Sequence, residues 1–390
     1  MRTLASIVST ASLLVVSGLA ASACSSSSES SSGGSGAPPA ATSPPSDTAV
    51  VTCEEGKYRT SANQCETFPN VAVKRADVII GPVRDHHTTI VTEIDGKPWL
   101  YVFGGTDDWK VMHDDVQRAP IGDGGTLGKF ELAGKLPAPR AGHCIVPVKD
   151  RWLLVGGTVA SAGRQTASTS SLYVKLAADG KVAETAPGPD LPMGVMHLSC
   201  NAAGDWIYAQ GGRNRSSHST SMSVRAKIGA DGVVGAFESQ PALSPDRSHH
   251  AAFVREKRLY IVGGLTGDPT ADYTDRSDVI MADIGDDGAL GPWTPAGKLP
   301  ATLSVSSAQL YKDAVYMVGG LEGLGFTDKI RRATFNADGT LSEIATVPGK
   351  LPSARGHVHQ TPMYKTYFFS VGGKDDGNNS LGTVDIGQFQ

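Results

Sequence analysis

The chain has 390 residues, of which 46 are glycine and 23 are proline, and its formal net charge is −4. So much glycine and proline without a collagen period indicates many turns and short strands, which is typical of an all-β protein. We expect no nucleic-acid partner, because affinity for phosphate depends on clustered lysine and arginine, which a mildly acidic chain does not supply.

Residues 1–23 are predicted to be an export signal. Arg2 precedes an apolar stretch from Leu4 to Leu19, which is too short to stay in a bilayer as a spanning helix. Ala21-Ser22-Ala23 fits ordinary signal cleavage and also resembles a lipoprotein box that ends at Cys24, although such boxes usually carry leucine where Ala21 stands.

Cysteine number favours lipidation of Cys24, because the other four cysteines then form an even set in an oxidising compartment. The sequence therefore predicts an exported protein of the cell envelope, held at the outer membrane or cell surface by this lipid alone. A secreted or periplasmic protein is the alternative. Residues 24–48 are almost all Ser, Gly, Pro, Ala and Thr, which predicts a tether without a core.

Two cysteines lie in the next segment, residues 49–70. Cys53 and Cys65 close a small loop that has little core of its own, so we predict a disulfide between them.

The rest of the chain, residues 71–390, is built from six repeats of about fifty residues. In each repeat a short apolar run ends in a Gly-Gly pair, which indicates a buried strand followed by a sharp turn. Five repeats carry an Asp-Gly dipeptide about twenty residues later, which favours a turn between antiparallel strands. A further apolar stretch and a charged hairpin complete four strands per repeat. The six pairs are Gly104-Gly105, Gly156-Gly157, Gly211-Gly212, Gly263-Gly264, Gly319-Gly320 and Gly372-Gly373.

This pattern resembles the Kelch family over residues 71–390, and it implies a six-bladed β-propeller with four antiparallel strands per blade. After Gly373 only one more strand candidate, residues 383–389, is present. An open sheet edge is unfavourable, so we predict that a strand within residues 50–80 completes the last blade and closes the ring. The Val78-Ile79-Ile80 run is an alternative source of that outer strand, but it is expected to lead into the first inner strand.

Alternation of antiparallel strands places the connections between blades on the same face as the loops that follow Gly-Gly. That face carries the longer loops, and function on scaffolded folds usually sits on such loops. We therefore predict the binding site there. The loops are residues 158–170, 213–220, 265–277 and 374–380.

Arginine and histidine recur just before the inner strands, which are expected to line a central channel. They could form a positive rim that binds a carboxylate or phosphate. In Kelch repeats such residues often satisfy buried backbone groups instead, and their repetition favours that structural interpretation. The candidates for this rim are Arg84 with His87, Arg140 with His143, Arg247 with His250, Arg355 with His357 as a shifted variant, and His197 without an arginine, together with Arg213 and Arg215 of the loop after Gly-Gly.

Cys144 and Cys200 occupy near-equivalent places in neighbouring inner strands. A disulfide between blades and two buried free thiols are both compatible with this placement.

No complete catalytic motif is present. The chain lacks a metal-spaced His/Cys cluster, a nucleophile elbow, a phosphate loop and the Tyr-His dipeptide of copper radical oxidases, so no metal and no cofactor are predicted. The sequence favours a propeller without catalytic activity that binds a protein or glycan ligand.

The alternative is an enzyme that acts on acidic sugars, an epimerase or lyase similar to the sialic acid epimerases. It would need Arg213 or Arg215 beside an acid such as Asp268 or Glu322. The acidic pairs Asp107-Asp108 and Asp375-Asp376 could bind a cation or simply solvate their loops.

Overall fold

The computed structural model describes residues 51–390 except 55, 56, 61, 62, 269, 271 and 272. The predicted signal, the tether and the Cys24 lipidation site lie outside the described residues. Within the described part, no helix has the length and apolarity needed to cross a membrane.

The described chain forms six four-stranded antiparallel sheets, here called blades 1 to 6, and the all-β propeller prediction is confirmed. From inner to outer strand, blade 1 consists of Thr88–Ile94, Lys97–Phe103, Asp115–Pro120 and Glu131–Lys135. Blade 2 consists of Cys144–Val148, Arg151–Val155, Ser171–Leu176 and Val182–Pro187. Blade 3 consists of Ser199–Ala203, Trp206–Gln210, Ser223–Lys227 and Glu238–Ser239.

Blade 4 consists of Ala251–Arg255, Arg258–Val262, Asp278–Asp283 and Thr294–Lys298. Blade 5 consists of Ser307–Tyr311, Ala314–Val318, Lys329–Thr334 and Ala345–Lys350. Blade 6 consists of Met363–Tyr364, Tyr367–Val371, Thr383–Phe389 and, as its outer strand, Val71–Ile79.

Short strands decorate the face that carries the loops after Gly-Gly, here called the loop face. Thr106–Asp107 pairs with Val111–Met112 in blade 1, and similar hairpins follow the Gly pairs of blades 2, 4 and 5. These are Thr158–Ser161 with Arg164–Ala167 (extended by Arg140–Ala141), Leu265–Thr266 with Thr274–Asp275, and Leu321–Glu322 with Gly325–Phe326. A 3-10 turn, Asp123–Gly125, lies between the third and outer strands of blade 1.

The Gly-Gly pairs allow neighbouring repeats to approach closely. Gly104 has φ of 56°, and a Cβ atom there would overlap the carbonyl oxygen of Arg140 in the next repeat. On the opposite face, tyrosines of the second strands reach the Asp-Gly turn of the following blade. Tyr101 donates a hydrogen bond to the carbonyl of Gly180 at 2.7 Å. Blades are therefore joined at both ends by contacts made with the repeat's own signature residues.

The N-terminal strand closes the ring, as the incomplete last repeat predicted. Val71–Ile79 pairs antiparallel with Thr383–Phe389, from Val71 opposite Phe389 to Ile79 opposite Thr383. The Val78-Ile79-Ile80 run does not lead directly into the first inner strand, which begins only at Thr88. Val78 and Ile79 belong to the closing strand instead, which was the alternative for this run. Its pairing with Thr383–Phe389 is regular from Val71 to Arg75, and the register shifts between Arg75 and Ile79.

The segment that precedes the closing strand packs onto the same part of the propeller. Lys57–Arg59 and Cys65–Thr67 form a hairpin that the Cys53–Cys65 disulfide joins to the chain before it. Tyr58 and Phe68 enter an apolar cluster that includes Tyr316 and Phe389. The predicted disulfide thus holds a segment whose aromatic side chains cover the seam between blades 5 and 6.

A second disulfide links Cys144 and Cys200, with 5.7 Å between their Cα atoms. It connects the inner strands of blades 2 and 3, so the disulfide alternative is the one that the structure adopts. Two disulfides are typical of proteins that fold in an oxidising compartment outside the cytosol.

Candidate functional site

A closed ring of backbone hydrogen bonds surrounds the centre of the loop face. One residue just before each inner strand contributes, and its N–H donates to the carbonyl of the corresponding residue in the preceding blade, at 2.7–3.4 Å. The six residues of this axial ring are His86, Gly142, His197, His249, Val305 and His357.

All six residues of the axial ring have left-handed backbone conformations, with φ between 48° and 63°. Glycine adopts this region at no steric cost, as at Gly142, whereas other residues are uncommon there. Four histidines nevertheless occupy the ring. Non-glycine residues in this region concentrate at functional sites, so the ring is a candidate functional site.

The ring histidines pack against one another at the top of the channel, and His359 joins them. The ring centroids of His197 and His249 are 3.8 Å apart, and those of His86 and His357 are 4.2 Å apart. The axial histidine cluster is defined as His86, His197, His249, His357 and His359. Trp109, from the blade 1 hairpin, lies 4.8 Å from His86 between ring centroids.

Two histidines of the cluster have an oriented nitrogen. Nδ1 of His86 contacts the carboxylate of Asp85, which is fully buried and accepts a 2.6 Å hydrogen bond from Ser380 Oγ. Nδ1 of His249 is 3.0 Å from the Ser248 hydroxyl. Three other nitrogens of the cluster are buried and have no hydrogen-bond partner in the described part of the chain. They are Nδ1 of His197, Nδ1 of His357 and Nε2 of His359.

Burial keeps the cluster neutral. Desolvation lowers the pKa of His359 to about 4 and holds the pKa of His86 well below its usual value. The pKa values of His197, His249 and His357 are held down by the same cause. At neutral pH the imidazole lone pairs are therefore available to a metal ion.

Two sets of three histidines bring their ligand atoms within 4.8 Å of one another: His86 with His197 and His249, and His86 with His357 and His359. These histidines do not have the local spacing of a metal-binding motif, and the sequence patterns described above do not include His86, His249 or His359. The distance in sequence from each Gly-Gly pair is the signal that identifies the ring positions. His197, His249, Gly142 and Val305 each lie fourteen residues before the first glycine.

The four arginines that precede the inner strands do not reach the channel rim. Their guanidinium groups are buried inside the blades, where each donates to the carbonyl of the first glycine of its own Gly-Gly pair. Arg84 bonds Gly104 at 2.9 Å, and Arg355 bonds Gly372 at 3.0 Å. Arg140 and Arg247 make the same contact with Gly156 and Gly263. This geometry matches the structural interpretation of the repeated arginine.

The histidines next to the ring tie adjacent inner strands together. Nε2 of His143 is 2.8 Å from the hydroxyl of Thr88, and Nε2 of His250 is 2.8 Å from that of Ser199. His87 is the equivalent residue of blade 1, and burial lowers its pKa to about 3. The sequence pattern places His197 and His357 in the same group as His143 and His250. In the structure they occupy the position one residue earlier in their repeats, which is the position of the axial ring.

Arg213 and Arg215 both lie on the loop face, in the segment that follows Gly-Gly of blade 3. The guanidinium of Arg213 stacks on Tyr273 at 3.9 Å, and its Nε is buried without a hydrogen-bond partner in the described part of the chain. Its charge contributes to the lowered pKa of His86, so Arg213 stands beside the axial cluster. Arg215 is exposed and donates to the Ala167 carbonyl at 3.1 Å.

The acidic candidates of the loop face are engaged with neighbouring groups. Glu322 forms ion pairs with Lys329 and Arg331, which hold its pKa below the usual value. The backbone N–H of Thr270 donates to Asp268 at 2.7 Å.

One carboxylate of each acidic pair on the same face has partners within the chain. Asp108 lies 2.6 Å from the buried Lys374 ammonium and 3.0 Å from Lys110, and these cations lower its pKa to about 2. Asp375 accepts hydrogen bonds from Asn379. These carboxylates are therefore satisfied from within the chain.

Beneath the axial cluster, a cavity of about 510 Å³ follows the inner strands of the propeller. Its wall includes His143, His250 and His359, together with the Cys144–Cys200 disulfide. The channel thus begins at the histidines and continues between the blades.

Comparison with known proteins supports the repeat assignment. No family model matches the chain. The chain is similar to the Kelch-like protein terF of Aspergillus terreus, with 24% identity over 269 residues, which are 67% of this chain and 56% of the relative. The match therefore spans little more than half of that relative's length. The solved structure described as "Structure of YjhT" is similar with a TM-score of 0.60 and 10% identity, covering 78% of this chain and 95% of that one, and this likeness concerns the fold.

Proposed function

We propose that this protein, a Kelch-repeat β-propeller, is an exported binding protein of the cell envelope that captures a carboxylate-bearing glycan or protein ligand on its loop face. The observation that carries the proposal is the environment of the Arg213 side chain. Its guanidinium is largely buried, stacks on Tyr273 and meets no carboxylate in the described part of the chain.

A guanidinium in this position favours an anionic ligand. Burial of a charge is costly unless an opposite charge and hydrogen bonds compensate, and burial already lowers the pKa of Arg213. Its planar donors match the two oxygens of a carboxylate, and stacking on Tyr273 holds the plane in place before binding. A bound carboxylate would supply the missing compensation.

Two aromatic side chains of the loop face, one of which stacks on Arg213, suit a glycan or an apolar side chain of the ligand. Trp109 is only partly buried and packs on the axial cluster, and Tyr273 is held by a 2.6 Å hydrogen bond from its hydroxyl to the Ser217 carbonyl. Aromatic faces offer a large contact area at low cost in conformational entropy.

The test compares Arg213→Ala with Arg215→Ala, an exposed arginine two residues away on the same loop. Arrays of acidic and neutral glycans, together with acidic peptides, identify a ligand, and its affinity is then measured for each variant. We expect binding to acidic members only, weakened at least tenfold by Arg213→Ala and less than twofold by Arg215→Ala. Arg213→Lys should also bind weakly, because an ammonium neither stacks nor donates as a planar fork. Equal binding by wild type and Arg213→Ala would refute the proposal.

The envelope location rests on the composition of residues 1–48 and on Cys24, and the two disulfides agree with an exported protein. We expect Cys24→Ala to move the protein from the membrane fraction to the soluble fraction, and globomycin to block maturation of the wild type. A variant that remains membrane-bound would contradict lipid anchoring.

The alternative, an enzyme that acts on acidic sugars, would use the same arginine to hold the carboxylate and would need a general acid or base beside it. Glu322 is poorly suited to that role, because its ion pairs with Lys329 and Arg331 stabilise the charged form. Exchange NMR on any acidic sugar that binds distinguishes the two functions. Exchange between anomers or epimers faster than in buffer supports the enzyme, whereas unchanged exchange supports the binding protein.

A further inference from the structure

We infer that His86, His357 and His359 form a binding site for a divalent transition-metal ion of the zinc and copper class, at the loop-face end of the central channel. One nitrogen of each histidine lies within 4.8 Å of the other two. Imidazole nitrogen is a preferred ligand of these metals, and three histidines are a sufficient protein ligand set for zinc.

Asp85 gives His86 the arrangement that metal-binding histidines usually have. Its buried carboxylate contacts Nδ1 of His86 and is itself oriented by Ser380. A carboxylate on one ring nitrogen fixes the tautomer and directs the other nitrogen, here Nε2, to the metal. The negative charge of Asp85 also compensates part of the charge of a bound cation.

The other two histidines carry nitrogens with unused hydrogen-bonding capacity. Nδ1 of His357 and Nε2 of His359 are buried, and neither has a hydrogen-bond partner among the described residues. An unsatisfied buried polar atom costs free energy, and coordination to a metal ion would satisfy both atoms at once.

The second set of three histidines fits a single ion less well. The rings of His197 and His249 are stacked 3.8 Å apart, with only 22° between their planes. A metal ion lies in the plane of each imidazole that binds it, so two nearly parallel stacked rings cannot both bind one ion without a large rotation. His86 and His357 are inclined by 48°, and His86 and His359 by 45°, which allows their planes to meet.

The surrounding charges act on both sets of histidines. Arg213 depresses the pKa of His86 as well as that of His197 and His249, and Lys374 depresses the pKa of His86 and His357. Asp85 acts in the opposite direction on the pKa of His357 and His359. The choice between the two sets therefore rests on the geometry of the rings and on the contact between Asp85 and His86.

His359 also gives the site an approach from the channel. Its side chain lies on the wall of the 510 Å³ cavity. Three protein ligands leave one position of a tetrahedral ion for water or a small ligand, and the cavity is the space from which it would come.

The test is calorimetric titration of Zn²⁺ into the untagged full-length chain after treatment with a chelator. We expect one ion per chain with a submicromolar Kd. His359→Gln should weaken binding at least tenfold. His197→Gln, which alters the same axial cluster outside the proposed ligand set, should change the affinity less than twofold, as should His218→Gln on the exposed loop.

Absence of stoichiometric binding would overturn the inference, and so would an unchanged affinity in His359→Gln or a loss that follows His197→Gln instead. If His359→Gln does not fold, the wild type loaded with one equivalent of Cu²⁺ is tested by electron spin-echo spectroscopy. Coupling to three histidine nitrogens supports the site, and fewer than three refutes it. Arg213→Ala tests the metal site independently of the proposed function, because it removes the proposed carboxylate site and leaves all three metal ligands in place.

Discussion

Removing the Cys144–Cys200 disulfide should destabilise the propeller more than removing Cys53–Cys65. The two bonds span 56 and 12 residues of chain. Loop-closure entropy of the unfolded chain then gives about 4.2 kcal/mol for the longer loop and about 2.8 kcal/mol for the shorter one at 25 °C. The described domain of about 340 residues unfolds with an entropy of about 0.7 kcal/mol/K, so these losses correspond to about 6 °C and about 4 °C in Tm.

The assay is calorimetric melting of the paired variants Cys144→Ala/Cys200→Ala and Cys53→Ala/Cys65→Ala at one scan rate. Wild type treated with reductant is the control, because reduction breaks both bonds without changing a side chain. We expect the inter-blade pair to lower Tm by about 2 °C more than the N-terminal pair, and the reduced wild type to melt below both variants. An equal or larger effect of the N-terminal pair would show that loop length does not determine the stabilisation.

Two further changes test the closure of the ring. Asp385 lies in the last strand and binds both Arg355, which is buried, and Arg75 of the closing strand. Asp385→Ala should therefore cost about 3–5 kcal/mol of unfolding free energy, because it leaves the guanidinium of Arg355 buried without its carboxylate, whereas Arg75→Ala should cost at most about 1 kcal/mol. Denaturant titration of the two variants measures the difference, and similar losses would contradict it. Gly349→Ala should cost about 1–3 kcal/mol of unfolding free energy in the same assay, because its Cβ would overlap the Val71 carbonyl oxygen. An unchanged denaturation midpoint would show that blade 5 and the closing strand do not pack this closely.

The fold was accessible from the sequence because its signals are local. The conformation at Gly104 and the turn at Asp179-Gly180 depend on residues that stand next to each other, and both recur in phase. The missing outer strand of blade 6 followed from counting strands after Gly373. What the sequence did not decide was the exact start of the first inner strand, since Val78 and Ile79 are apolar in either position.

The site was less accessible because it is assembled across blades. His86 and His357 precede the inner strands of the first and last blades, and only ring closure brings their ring centroids to 4.2 Å. The one-residue offset between His197 and His143 was also invisible in the recurring pattern of an arginine three residues before a histidine, as in Arg140 and His143. That offset decides whether a histidine faces the axis or bonds a neighbouring inner strand, as His143 bonds Thr88.

The axial ring itself does not require histidine. Gly142 makes the same backbone hydrogen bonds as its neighbours, donating to His86 and accepting from His197 at 2.7 Å, so the ring needs only a left-handed backbone at each position. A residue other than glycine in that conformation costs about 1 kcal/mol or more, and four histidines therefore cost about 4 kcal/mol in a domain whose net stability is of order 5–15 kcal/mol. Two of the four, His197 and His357, also have a buried Nδ1 without a hydrogen-bond partner among the described residues, which adds to that cost. Because the backbone ring gains nothing from these side chains, we expect a compensating interaction at the imidazoles. The proposed metal ion would supply it at His86 and His357, the two ring histidines among its three ligands.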